Sequence, residues 1–166
     1  KTIFLVQSGK IIGKYRKTHL ELREKNEIVP GDGEYQVFET QLGNIGMMLD
    51  YEGYFPEITR ILALKGADII IWAVQFNHDE HLKICQTRSA ENKVFIICTN
   101  PIGEGYNGHS VITSPSGQII AGCLEDREIA SPATISVNLA RDKMIVPYTN
   151  AILGRHPESY YLLTSI

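Results

Sequence analysis

Three short apolar stretches constrain the fold most: Ile45–Leu49, Asp68–Val74 and Lys93–Thr99, separated by two segments with helical spacing. Continuous apolar runs such as Ile45–Leu49 and Ile69–Trp72 within them are strands covered on both faces. In the first intervening segment, Phe55-Pro56-Glu57 opens a helix. Proline suits a first turn, and glutamate suits the positive end of the helix dipole. Ile58, Ile61, Leu62 and Lys65 follow at helical spacing, and Gly66 terminates the run. A second helix is predicted from a cap at Asn77 to about Glu91, with Leu82, Cys85 and Ser89 on one face. Strand–helix–strand order of this kind implies an α/β domain with a mixed sheet and its helices on one face. Two helices can cover only one face, so the other must meet a second sheet or a further piece.

The flanks read as hairpins. Thr2–Val6 and Ile11–Arg16 are strands joined at Ser8-Gly9-Lys10. Thr18–Gly33 is a long polar loop closed by Pro30-Gly31-Asp32-Gly33, and loops of this length in compact domains are often functional. Tyr35–Thr40, Ser110–Thr113, Gln118–Ala121 and Thr134–Leu139 are further strands. His156–Leu163 docks as a last helix or an extended segment. With no repeat and no low-complexity linker, residues 1–166 read as a single domain. Its first strand follows Lys1 at once, which predicts a processed protein or a fragment.

Composition removes several function classes. Sixteen Lys and Arg stand against 19 Asp and Glu, for a net charge of −3. That excludes the basic footprint of a nucleic-acid binder and gives no pull toward an anionic membrane. No apolar run approaches the ~20 residues of a membrane span. Three cysteines, Cys85, Cys98 and Cys123, form no metal-ligand spacing and suit a reducing, cytoplasmic setting. Gly103-Glu104-Gly105-Tyr106-Asn107-Gly108 spells a dinucleotide fingerprint but opens a strand, so no helix N-terminus awaits a pyrophosphate. His78 and His81 share a helix face, yet no third ligand follows. No cofactor and no metal are expected.

Two residues stand where α/β folds place their chemistry, at strand ends. Lys17 ends Tyr15-Arg16-Lys17, and Asp50 ends Met47-Met48-Leu49-Asp50. They read either as a functional pair or as a structural ion pair.

The order of motifs along the chain resembles the nitrilase superfamily of carbon–nitrogen hydrolases. Gly13-Lys14-Tyr15-Arg16-Lys17-Thr18-His19-Leu20 is similar to that family's lysine segment, and Pro30-Gly31-Asp32, Val37-Phe38-Glu39-Thr40 and Gly43-Asn44-Ile45-Gly46 to the stretch after it. Phe55-Pro56-Glu57 with Arg60, and Gly66-Ala67-Asp68, resemble the helix after the nucleophile. Arg88-Ser89-Ala90-Glu91-Asn92, Asn100, Gly108-His109-Ser110, Pro115-Ser116-Gly117 and the tail Arg155, Pro157, Glu158 and Tyr160 continue the match.

The resemblance implies an αββα sandwich, of which this chain is the C-terminal portion, and a Glu–Lys–Cys triad acting on amides, nitriles or N-carbamoyl compounds. Carried over, Lys17 is the lysine that stabilises an oxyanion. Glu24 is the second glutamate, with Glu27 as the weaker candidate. The nucleophile falls at Asp50, not at a cysteine. The base glutamate belongs to a segment before the lysine stretch that has no counterpart here. Cys85, Cys98 and Cys123 lie in a helix, a strand and a late loop and do not replace it. Tyr51, Tyr54 and Asn77 are expected at the pocket mouth. The resulting expectation is a hydrolase-like domain that is inactive as it stands. An active amidohydrolase in full-length form and a non-catalytic binding or assembly module stay open beside it. The expected partners are a small amide-like molecule and either a second copy or the absent segment.

Overall fold

The computed structural model describes residues 1–103, 105–125 and 127–165. Its strands and helices are β1 (Thr2–Gln7), β2 (Lys10–Arg16), β3 (Val37–Thr40), β4 (Gly43–Leu49), α1 (Pro56–Leu64), β5 (Ile69–Ala73), α2 (Glu80–Asn92), β6 (Phe95–Thr99), β7 (Ile102–Gly103), β8 (Tyr106–Asn107), β9 (Val111–Thr113), β10 (Ile119–Gly122), α3 (Asn138–Arg141), β11 (Met144–Val146) and β12 (Thr149–Asn150).

The three apolar stretches are the parallel centre of a six-stranded sheet, ordered β10-β9-β6-β5-β4-β3. Ile45, Ile69 and Phe95 share one register row, and Leu49, Ala73 and Thr99 another. Side chains alternate along each strand, so the sheet presents two apolar faces. Met48, Ile70, Trp72, Ile96, Cys98 and Val111 pack with Ile58 and Leu62 of α1 and Cys85 of α2. Gly46 lets α1 approach, because a Cβ there would stand 3.0 Å from Leu62 Cδ2.

The opposite face carries Ile45, Met47, Leu49, Ile69 and Phe95. It is covered by Tyr15, Ile3 and Leu5 of the β1–β2 hairpin, with Ala140 and Ile135 beside them. The expected second sheet is therefore present as a two-stranded ribbon. Its far side exposes Phe4, Val6 and Ile11.

Several sequence expectations are corrected. Thr134–Leu139 is not a strand: residues 134–136 are irregular and α3 begins at Asn138. Its β-branched residues make no strand pairing, and Thr134 is exposed while Ile135 and Val137 are half-buried. Ile135 packs on the second face, and Arg141 of α3 pairs with Asp68 at 2.9 Å. Asn77 does not cap α2, which starts at Glu80 after Asp79. The buried face of α2 is His81, Cys85, Ser89 and Asn92, with Leu82 only half-buried. The strand expected from Tyr35 begins at Val37, and the long loop contains a 3-10 turn at Glu24–Asn26. Gly103, Tyr106 and Asn107 of the glycine-rich motif stand in the β7–β8 ribbon, while Glu104 lies outside the described residues.

Candidate active site

Lys17 and Asp50 each follow directly on a strand, β2 and β4 respectively. Both are buried, and Lys17 is 0% exposed. Lys17 Nζ lies 2.6 Å from Glu24 Oε2, 3.0 Å from Asp50 Oδ2 and 3.6 Å from Glu21 Oε1. The ring of Tyr51 sits below it, 5.4 Å to the centroid. A second ammonium, Lys1 Nζ, approaches Asp50 Oδ2 at 2.7 Å and donates to Gln75 Oε1. The contacts of Asp50 Oδ2 are thus ion pairs by distance, without hydrogen-bond alignment.

Electrostatics match this packing. Burial alone would lower the Lys17 ammonium's pKa, but the Glu24 and Asp50 carboxylates outweigh it and hold it above its ordinary value. Burial would raise Glu24, yet its bond from Lys17 and the backbone N–H of Glu21 hold it below the usual carboxylate range. Glu21, Glu24 and Asp50 bring their carboxylate oxygens within 4.8 Å of one another. The Lys17 ammonium contacts all three, and Lys1 adds a second positive charge at Asp50.

Local structure fixes Asp50. Its backbone is left-handed, φ 47°, at the sharp turn from β4 into the 3-10 segment Asp50–Tyr54. Few residues other than glycine adopt that conformation, Asp and Asn most readily. Trp72 Nε1 donates to the Asp50 carbonyl at 2.7 Å. Arg88 of α2 donates to the carbonyls of Gly53 and Tyr54. Gly53 must lack a side chain, since a Cβ there would meet Trp72 Cζ2 at 2.2 Å.

Beside the cluster lies a cavity of about 860 Å³ whose lining includes Glu21, Tyr51, Tyr54, Gln75, Phe76 and Asn77. The three residues expected at a pocket mouth, Tyr51, Tyr54 and Asn77, therefore share one cavity. Asn100 shapes its wall by bonding both the N–H and the carbonyl of Phe76. A smaller hollow of about 410 Å³ opens on Asp50, Lys1 and Gln75.

Of the two candidate glutamates, Glu24 bonds Lys17, while Glu27 is exposed. Sequence reasoning missed Glu52, which is 0% exposed and accepts bonds from both strand ends. Its only signal was a glutamate at the third position of a short turn, where a carboxylate can reach back to the preceding N–H. His81 turns both ring nitrogens to backbone carbonyls, of His78 and His109, rather than to a shared ligand with His78. Cys85 and Cys98 are buried in the core, and burial pushes the Cys98 thiol well up.

Comparison with known proteins gives a consistent result. Residues 1–143 match the Carbon-nitrogen hydrolase family. A nitrilase of Pyrococcus abyssi is 34% identical over 154 residues, 90% of this chain and 59% of that protein. The crystal structure of a carbon-nitrogen hydrolase from Helicobacter pylori G27 superposes with a TM-score of 0.83 at 26% identity, over 95% of this chain and 62% of that one. An amidase mutant from Nesterenkonia sp. AN1 is 25% identical, with a TM-score of 0.69 over 75% of this chain and 51% of that one. That structure shows covalent addition of the acetamide moiety of fluoroacetamide at the active site cysteine. The chain thus spans 59% to 62% of the length of the first two relatives.

Proposed function

Because the chain belongs to the carbon–nitrogen hydrolase family of the nitrilase superfamily, we propose that it carries the lysine and second-glutamate part of such a site, with Asp50 at the nucleophile position. Lys17 is the oxyanion-stabilising ammonium, Glu24 its positioning carboxylate, and Tyr51, Tyr54 and Asn77 line the substrate cavity. In this reading a small amide-like molecule binds, but the chain does not turn it over.

The observation that carries the reading is the 3.0 Å approach of Asp50 Oδ2 to Lys17 Nζ at a left-handed strand-to-turn corner. A nucleophile belongs on such a corner, held out from the sheet. A carboxylate there is a poor substitute for a thiolate. Its attack on an amide carbonyl would give an anhydride, which is higher in energy than a thioester. Its negative charge also offsets the Lys17 charge that a developing oxyanion would need.

A second reading, an assembly module, is favoured by the ribbon's outer side, where Phe4 is 54%, Val6 57% and Ile11 65% exposed. Such a row suits a second copy or a further segment that completes the sandwich. The unpaired cysteines accord with a cytoplasmic setting. Among the described residues no helix is long and apolar enough to cross a membrane.

The test is hydrolysis of simple amides, nitriles and N-carbamoyl compounds by the full-length protein and its Asp50→Cys and Lys17→Ala variants. No turnover by the native form, with turnover gained on Asp50→Cys, supports the proposal. Turnover by the native form that Lys17→Ala abolishes refutes inactivity and makes the protein an amidohydrolase.

A further inference from the structure

Lys17 and Asp50 come from separate strand ends, and a single side chain ties those ends together. The Glu52 carboxylate is fully buried. Its Oε1 accepts from Tyr15 Oη at 2.7 Å, Thr18 N at 2.8 Å, Thr18 Oγ1 at 2.8 Å and His19 N at 3.2 Å. Its Oε2 accepts from Leu49 N at 2.8 Å. The first four donors flank Lys17, and the last immediately precedes Asp50. Both oxygens face donors only, an arrangement that a carboxylate satisfies and a carboxamide cannot. Burial, with the Glu52 charge next, pushes the Tyr15 phenol far up, so its hydroxyl stays a donor.

We infer that Glu52 is a positioning residue of the site: it sets the distance between Lys17 Nζ and the side chain at position 50. The inference rests on the proposed reading of Lys17 and position 50 as the ammonium and nucleophile positions. Glutamine at position 52 must turn an NH2 toward at least one N–H. With its oxygen kept on the Thr18 cluster, the NH2 faces Leu49 N, and the turn that carries position 50 is pushed away from Lys17. Buried donor–donor conflicts of this kind are among the costly polar defects.

A double-mutant cycle reads that distance as coupling. In the full chain carrying Asp50→Cys, the pH dependence of iodoacetamide alkylation, followed on the peptide containing position 50, gives the midpoint of the introduced thiol. Lys17→Gln removes the ammonium that favours the thiolate, so the midpoint should rise by about one pH unit or more. With Glu52→Gln also present, the rise caused by Lys17→Gln should fall to less than half of that. Tyr15→Phe removes one donor without changing the core volume, and should give an intermediate rise. It keeps the inference testable where Glu52→Gln fails to fold. An equal, non-zero rise with Glu52 and with either substitution overturns the positioning role and leaves the site reading intact. No rise from Lys17→Gln even with Glu52 in place overturns the site reading, and the inference with it. A purely structural Glu52 would lower the melting temperature and leave the rise unchanged.

Discussion

Trp72→Phe tests how the Asp50 corner is held. Trp72 is 0% exposed, and its Nε1 donates to the Asp50 carbonyl at 2.7 Å. Phenylalanine fits the same apolar wall but removes three ring atoms, the donor nitrogen among them. The two lost carbons cost about 1.5 kcal/mol at about 0.8 kcal/mol per buried carbon. The Asp50 carbonyl, left without its donor, adds about 1–3 kcal/mol. The sum is about 3 kcal/mol. With a urea dependence of about 2 kcal/mol per molar, the unfolding midpoint should fall by about 1.5 M. Trp72 is the only tryptophan, so far-UV circular dichroism is the probe that both proteins share. A fall of about 0.7 M or less would account for lost packing alone. It would refute the claim that the indole N–H anchors the corner.

Gly46→Ala and Leu62→Ala should be non-additive. A Cβ at Gly46 would press on Leu62 Cδ2 at 3.0 Å, and overpacking of this kind costs about 1–3 kcal/mol. Leu62→Ala alone should cost about 2–5 kcal/mol. The double variant, in which the new methyl partly fills the space, should lose clearly less than the sum in urea titrations; strict additivity would place the two residues out of contact. Stability should also have a defined pH window. Glu24 and Asp68 are held below their ordinary values, in each case against a burial effect that would raise them. Their contribution is therefore present above the unfolded range of about 4 and is lost as the pH falls through the folded values. Lys17 is held above its ordinary value, so its contribution is complete below about 10.4 and is lost as the pH rises through the folded value. Melting temperature against pH should show a plateau with both flanks falling; a rise on acidification below pH ~4 would contradict the assignments.

The sheet was legible because its signals are local. Ile45–Leu49, Asp68–Val74 and Lys93–Thr99 are apolar enough that only a two-sided cover satisfies them, and both covers are present. Thr134–Leu139 misled for the same reason. Its β-branched residues look like a strand, but residues 134–136 are irregular, with Ile135 packed on the second face of the sheet and α3 beginning at Asn138. At the site, strand-end position and family resemblance singled out Lys17, Glu24 and Asp50, and the structure brings all three together. Glu52 was not legible. A carboxylate next to a loop ordinarily faces water, and only the tertiary meeting of β2 and β4 gives this one five donors. Lys1 and Glu21 were missed for a similar reason, because their roles depend on where distant strand ends converge.

The central claim is that position 50 occupies the nucleophile site and that its carboxylate does not act there as a covalent nucleophile. Fluoroacetamide tests it directly, with intact-mass and peptide-mass readout of the full chain before and after Asp50→Cys. The account predicts no adduct on the native protein and a single acetamide adduct at position 50 of the variant. An adduct on native Asp50, or a variant labelled at Cys123 but not at position 50, would contradict it.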